Sequence, residues 1–253
     1  MKKDLFLGLY KQVGGLEVND CPPQALSRLL HGYLSVYSMV RVYPWLEDDL
    51  GTVWDIHDRI REIARVLQQL VTDKDIPVDT RAGYVVDLMD AYQLYSDMTF
   101  LDTALDVAYE ILVPQGEDRM VLPCRTANVC RLLCNCYYFT REEECGLLAR
   151  GLVTEALGLS RKFDCDELVA WWYAFRVYDC VVEEMEMSKG ESEYFLKEFT
   201  RLEVNVEQIE DEMIESFQQM NGKGLISLFV DVFDVLATRE FAMYNEVYNQ
   251  KLL

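Results

Sequence analysis

The chain has 253 residues, 51% of them apolar, with 6 Pro and 13 Gly. That is enough apolar matter for a sizeable core and too little Pro and Gly for disorder or a many-turned β fold. A net charge of −20 repels phosphate backbones and anionic lipid headgroups, so neither nucleic acid nor membrane is expected as a partner. The acidity otherwise serves solubility or receives a basic partner.

The opening Met1-Lys2-Lys3-Asp4-Leu5-Phe6-Leu7 has the outline of a leader. Asp4 interrupts its basic region, however, and the apolar stretch of about five residues is shorter than an export signal uses. A cytoplasmic location is therefore expected. Residues 1–15 predict a short helix ending at Gly14-Gly15, and Pro22-Pro23 marks a loop. From Gln24 to Tyr43 the apolar residues Leu26, Leu29, Leu30, Tyr33, Leu34, Tyr37 and Val40 step by three and four, the period of one helix face. Pro44 stops that helix. A second long helix is predicted over Asp49–Val71 with Val53, Ile56, Ile60, Ile63, Leu67 and Leu70 as its stripe. After the break at Ile76-Pro77, a helix starts with Asp79 or Thr80 as N-cap and carries Tyr84, Leu88, Ala91, Tyr92 and Tyr95. Ser96-Asp97 turns the chain into a helix over Thr99–Val113, and Pro114–Pro123 reads as a loop.

Helices over Arg125–Phe139 and Glu142–Leu159 repeat the arrangement. The helix from Asp166 to about Met187 is apolar nearly all round, as a central helix is. The next, from Lys189-Gly190 to Gln219, bears a heptad seam of Phe195, Phe199, Leu202, Val206, Ile209 and Met213 beneath acidic faces. This seam either packs within the chain or mediates self-association. Asn221-Gly222-Lys223-Gly224 is the clearest turn, and a last helix follows from Leu225. No segment alternates with the period of a strand.

Shifting the hairpin of residues 79–113 by 45 places Tyr84 on Val129, Leu88 on Leu133, Ala91 on Cys136, Tyr92 on Tyr137 and Ala104 on Ala149. A lone hairpin cannot bury its apolar face, so neighbours must stack. The stretch from Tyr92 to Leu105 (a helix end, the turn Ser96-Asp97, then Phe100-Leu101 and a downstream Ala104) resembles the hairpins of α/α-toroid proteins of the six-hairpin glycosidase kind, and of tetratricopeptide-like repeats. The resemblance spans residues 79–159. It implies a carbohydrate-processing activity on the first family and a peptide or protein partner on the second.

Eight cysteines occur. In a chain without an export signal most fall on apolar helical positions and read as reduced core residues. Cys130, Cys134 and Cys136 do not match the Cys-x2-Cys spacing of structural zinc and have no histidine near them, so no metal is expected. No phosphate loop, dinucleotide fingerprint or nucleophile elbow is present, and no cofactor is expected. His31, one of two histidines, sits beside an apolar stripe as a boundary residue.

Three constellations carry chemistry. Trp54, Asp55, His57 and Asp58 set a carboxylate pair at i, i+3 beside an aromatic, which glycan hydrolysis uses to divide acid and base roles. Asp87 and Asp90 repeat that spacing next to Tyr92. Both sets equally suit the wet face of an amphipathic helix. Trp171 and Trp172 can stack on a sugar or peptide, although neighbours on a helix diverge by about 100° and cannot both face one ligand.

The sequence thus predicts an all-α protein, one domain over 1–253, of about nine or ten helices in consecutive antiparallel hairpins. These form a curved solenoid or an incomplete α/α toroid. The expected function is a binding or scaffold role with a concave groove for a peptide or protein. The alternative is a carbohydrate-processing or carbohydrate-binding protein with Asp55, Asp58 or Asp87 as catalytic acids, and whether the chain is an enzyme stays open.

Overall fold

The computed structural model describes residues 2–113, 119–182, 189–220 and 226–252. Among them every regular element is helical: α1 (Lys2–Gly14), α2 (Pro23–Val42), α3 (Glu47–Leu50), α4 (Val53–Leu70), α5 (Val78–Tyr95), α6 (Met98–Leu112), α7 (Ala127–Thr140), α8 (Glu143–Leu159), α9 (Cys165–Val182), α10 (Lys189–Gln219) and α11 (Ile226–Leu252), with short 3-10 turns between. The all-α fold is as the periodicity predicted. The Asn221–Gly224 turn lies outside the described residues.

Local chemistry accounts for the helix ends. Gly51 takes φ +84°, open to glycine and costly for other residues, and it splits the long helix expected over Asp49–Val71 into α3 and α4. Thr52 and Asp55 then start α4 reciprocally: the Asp55 carboxylate accepts from the Thr52 amide at 3.2 Å, and the Asp55 amide donates to the Thr52 hydroxyl at 3.2 Å. Asp164 and Glu167 do the same for α9. The expected N-cap at Asp79 or Thr80 is not used. The helix begins at Val78 behind Pro77, and the Asp79 carboxylate instead accepts hydrogen bonds from Thr126 and Asn128.

The residues gather into two compact units. One joins the residues up to Leu67 with those from Glu212 onward; the other is Gln68–Asp211. In the first, α11 packs along α2 and against α1. Rings of Phe6, Tyr10 and Tyr33 surround Phe233 at centroid distances of 6.4, 6.2 and 5.4 Å. The helices approach closely at Gly32, where a Cβ would lie 2.5 Å from the Phe233 ring and 3.2 Å from the Asp234 Cα. Asp234 itself has no exposed surface. Its carboxylate accepts from Arg28 at 3.2 Å and meets the His31 Nδ1 at 2.5 Å. Burial pushes that carboxyl up, but the charges and hydrogen bonds of His31 and Arg28 outweigh it and hold it below the usual carboxylate range. Arg59 closes the end of α1 by donating to the carbonyls of Val13 and Leu16.

In the second unit α5 packs on α6 and α7, and α7 on α8 and α9. The turns of the first two hairpins are alike. Ser96 at the end of α5 (φ 53°) and Arg141 at the end of α7 (φ 61°) are both left-handed, and their amides donate to the carbonyls of Tyr92 and Tyr137 at 2.7 and 2.8 Å. These residues stand 45 apart, the offset that aligned the sequence. Burial follows the same offset into α9: Tyr84, Leu88 and Ala91 on α5, Val129, Leu133 and Cys136 on α7, and Ala174, Tyr178 and Val181 on α9 are all buried. Tyr178 and Phe175 of α9 in turn pack edge-on against Phe195 of α10. The seam residues Phe195, Leu202 and Val206 are thereby covered within the chain.

Candidate functional site

The constellations read from the sequence fall apart into two groups. Trp54, Asp55, His57 and Asp58 belong to the first unit; Asp87, Asp90, Tyr92, Trp171 and Trp172 belong to the second. On α4, Trp54 is 73% exposed and meets the His57 ring edge-on at 5.9 Å. The Asp55 carboxylate is engaged at the helix start, accepting from the Thr52 hydroxyl at 2.7 Å as well as from its amide. The Asp58 side chain is 79% exposed, 3.4 Å from His57. Both acids therefore stand on the exposed side of α4. A cavity of about 290 Å³ in this unit lies elsewhere, between α1 (Leu5, Gly8, Leu9) and Phe217 of α10.

In the second unit Asp87 is buried on α5, with Arg131 of α7 at 3.9 Å. Asp90 is half-buried one turn on, and Tyr92 packs edge-on against Phe139 at 5.7 Å. Trp171 is buried, stacks on Phe163 and meets the Phe175 ring at 5.7 Å. Trp172 points to a different side, as the 100° step requires, and the Arg176 guanidinium lies 4.9 Å over its ring.

The thiols expected to be core residues are mostly buried, and all eight are free. A hydrogen bond with Cys130 and then burial raise the Cys134 thiol well above the ordinary range; a hydrogen bond with Cys145 and burial do the same for Cys136. Both stay protonated, as buried thiols do. Among the described residues no group of three His, Cys, Asp or Glu side chains is placed to hold a metal ion, and no helix is long and apolar enough to cross a membrane.

What the geometry does bring together is a face of α5, α7 and α9. On α7, Asn128 lies against Gly83 of α5, and Arg131 follows one turn later. On α9, Arg176 occupies the position 45 residues after Arg131, one turn beyond Trp172. Around both arginines the neighbouring positions Leu132, Leu133, Ala174 and Phe175 are buried; Arg176 is exposed, whereas the Arg131 side chain is half-buried beside Asp87. Two buried donors on these helices lack acceptors: the Nε of Arg131 and the indole N–H of Trp172.

Of these groups only Trp172 was singled out by the sequence reading; Arg131 and Arg176 were missed. The signal that finds them is the 45-residue offset carried one hairpin further, where Arg131 falls on Arg176 as Leu133 falls on Tyr178. The chain matches no protein-family model, no curated protein and no solved structure.

Proposed function

We propose that the chain is a non-catalytic binding or scaffold protein whose second unit presents a face of α5, α7 and α9 to a peptide or protein partner. The observation that carries this reading is the succession of α5, α7 and α9 as neighbours, with turn geometry and burial recurring at one offset. Each hairpin covers one side of its first helix with its second helix, and the two adjacent hairpins cover the flanks. An outward side is left over on α7 and α9, where Tyr138 and Arg176 are exposed, and stacking places these sides next to one another. An extended segment can run across them and touch several helices at once. The polar, aromatic character of the strip (Asn128, Arg131, Tyr138, Trp172, Arg176) suits directional recognition of a polypeptide. The carbohydrate reading gains no comparable support, since the Asp55 carboxylate serves its own helix start and the exposed Asp58 pairs with His57.

The test is site-specific photo-crosslinking in cells of origin. A photoreactive phenylalanine analogue at Tyr138, exposed on α7, is compared with the same analogue at Leu147, exposed on α8. A discrete adduct from position 138 and none from 147 supports the reading. Equal labelling at both positions, or none at 138, rejects it.

A further inference from the structure

The tryptophans divide sharply in exposure. Trp171 and Trp172 keep 8% of their surface in water, whereas Trp45 keeps 65% and Trp54 73%. An indole is among the largest apolar groups a chain has to bury, so two left in solvent in one short stretch are an observation to account for. Trp45 meets the Tyr43 ring at 5.3 Å and Trp54 the His57 ring at 5.9 Å, and most of each residue stays open. Both stand in the connection from α2 to α4, and its two ends are tied together. The carboxylate of Glu47, two residues after Trp45, accepts from the amide of Val53, just before Trp54, at 3.2 Å. Val42 adds a third exposed apolar side chain at the end of α2. Charge is concentrated on the same stretch. Residues 42–58 hold Glu47, Asp48, Asp49, Asp55 and Asp58, all exposed, and neither Lys nor Arg, so a quarter of the chain's net charge of −20 sits here. The helix starts do not account for it: α3 is a single turn, which gathers little dipole for three successive acids to meet. On the adjoining helices Arg59 turns inward onto the α1 carbonyls and Arg61 is half-buried, while Arg41 and Lys11 are exposed. No three of the carboxylates are placed to hold a metal ion.

We propose that the stretch from Val42 to Asp58 is a docking surface for a polypeptide segment bearing lysine and arginine, with Trp45 and Trp54 as its seats. The surface belongs to the first unit, so the inference goes beyond the face of the second unit proposed above, and either can fail without the other. Charge complementarity selects the occupant. An indole face attracts a guanidinium or ammonium head and packs against the methylene stem behind it. The surrounding carboxylates oppose the same charges, and they repel acidic peptides, anionic lipid heads and phosphate backbones alike. A second copy of this chain is a poor occupant, because its own surface carries the same net charge of −20. Tryptophan is the side chain that most often dominates the energy of an interface, and each indole here is within reach of a partner without any rearrangement of the core. The carboxylates set the encounter and the register, and the indoles set how long the segment stays.

The experiment is selection of a displayed random peptide library on the full-length protein and, in parallel, on Trp45→Ala/Trp54→Ala, at physiological salt, where a screening length of about 8 Å suppresses long-range attraction. Both side chains are mostly in water, so the variant keeps the fold, and circular dichroism melting checks it. Trp45→Ala, which lies outside the α-helices, carries the test alone if Trp54→Ala disturbs α4. The expected result is a pool rich in Lys and Arg on the wild type and absent from the variant, with affinity for a selected peptide falling about tenfold or more, as loss of an aromatic anchor produces. A matched pair of charge variants separates this surface from the acidity of the whole chain. Asp48→Asn/Asp49→Asn should weaken the selected peptide severalfold, and Asp102→Asn/Asp106→Asn, exposed on α6, should leave it unchanged. Equal weakening by both pairs, or a basic pool that the tryptophan variant retains, means general charge attraction and overturns the proposal. Enrichment of acidic or uncharged peptides, or of none, overturns it as well.

Discussion

Asp234 gives the sharpest energetic test of the fold. It is the one carboxylate among the described residues with no solvent-exposed surface, and it joins α11 to α2 through Arg28 and His31. The three side chains are unequal: Asp234 is 0% exposed, Arg28 and His31 36% and 37%. Removing the carboxylate leaves two cationic or polar groups that water already reaches, and they rehydrate at little cost. Asp234→Asn, which keeps shape and a donor–acceptor side chain, should therefore cost about 1–2 kcal/mol. Removing both partners instead strands a charge inside the α2–α11 contact. Arg28→Met/His31→Leu should cost more, on the order of 3–5 kcal/mol, the usual penalty for an orphaned buried charge.

The assay is urea unfolding followed by circular dichroism, with slopes compared to verify that the same surface is exposed. The order of the two losses is what matters. If Asp234→Asn destabilises as much as the double variant, the carboxylate is not being held by these two side chains and the argument fails. A pH series adds an independent check. The folded carboxyl titrates below the unfolded value of about 3.9, so its stabilisation is present above that pH and is lost as pH falls through the lower, folded value. Below about pH 4 wild type should lose stability more steeply than Asp234→Asn.

Gly32→Ala would press a methyl into the Phe233 ring and the Asp234 backbone; a loss of about 1–3 kcal/mol is expected by thermal unfolding, and an unchanged melting point would contradict the close approach. Ser96 holds a left-handed backbone without being glycine, so Ser96→Gly should stabilise by roughly 0.5–1 kcal/mol in the same assay. In the native protein at pH 8, a thiol reagent should modify the exposed Cys165 and Cys180 within minutes and spare the buried Cys134 and Cys136, whose thiols are held protonated. Peptide mapping by mass spectrometry reads the pattern, and early labelling of Cys134 or Cys136 would count against the core packing of α7.

The helices were legible because their stripes are long and regular. Leu29 and Tyr33 on α2, or Ile56, Ile60 and Ile63 on α4, declare the buried face without any knowledge of what covers it. Partners were not legible. Nothing local to Asp79 says that its carboxylate will leave the helix start for Thr126 and Asn128, because that choice is made by a helix 47 residues away. The role of His31 was hidden for the same reason, since its carboxylate lies 203 residues on. The candidate site divides along the same line. Trp172 drew notice by its size, whereas Arg131 and Arg176 look like ordinary surface arginines until the offset between hairpins sets them side by side. Asp55 drew notice as a catalytic type of residue and is occupied in starting its own helix, a use that Thr52 three residues earlier already announces.

The first unit draws on both sides of an uninterrupted second one, and this orders events in time. A ribosome adding about 5–20 residues per second makes His31 some ten to forty seconds before Asp234. Throughout that interval the second unit, whose hairpins close on near neighbours, can assemble, while Leu26, Leu29 and Tyr33 of α2 wait without the helix that covers them. The nascent chain thus carries a finished module beside an unfinished one. Mutations that loosen α11 are expected to lower yield through capture and degradation of the waiting half, long before they alter anything the finished molecule binds.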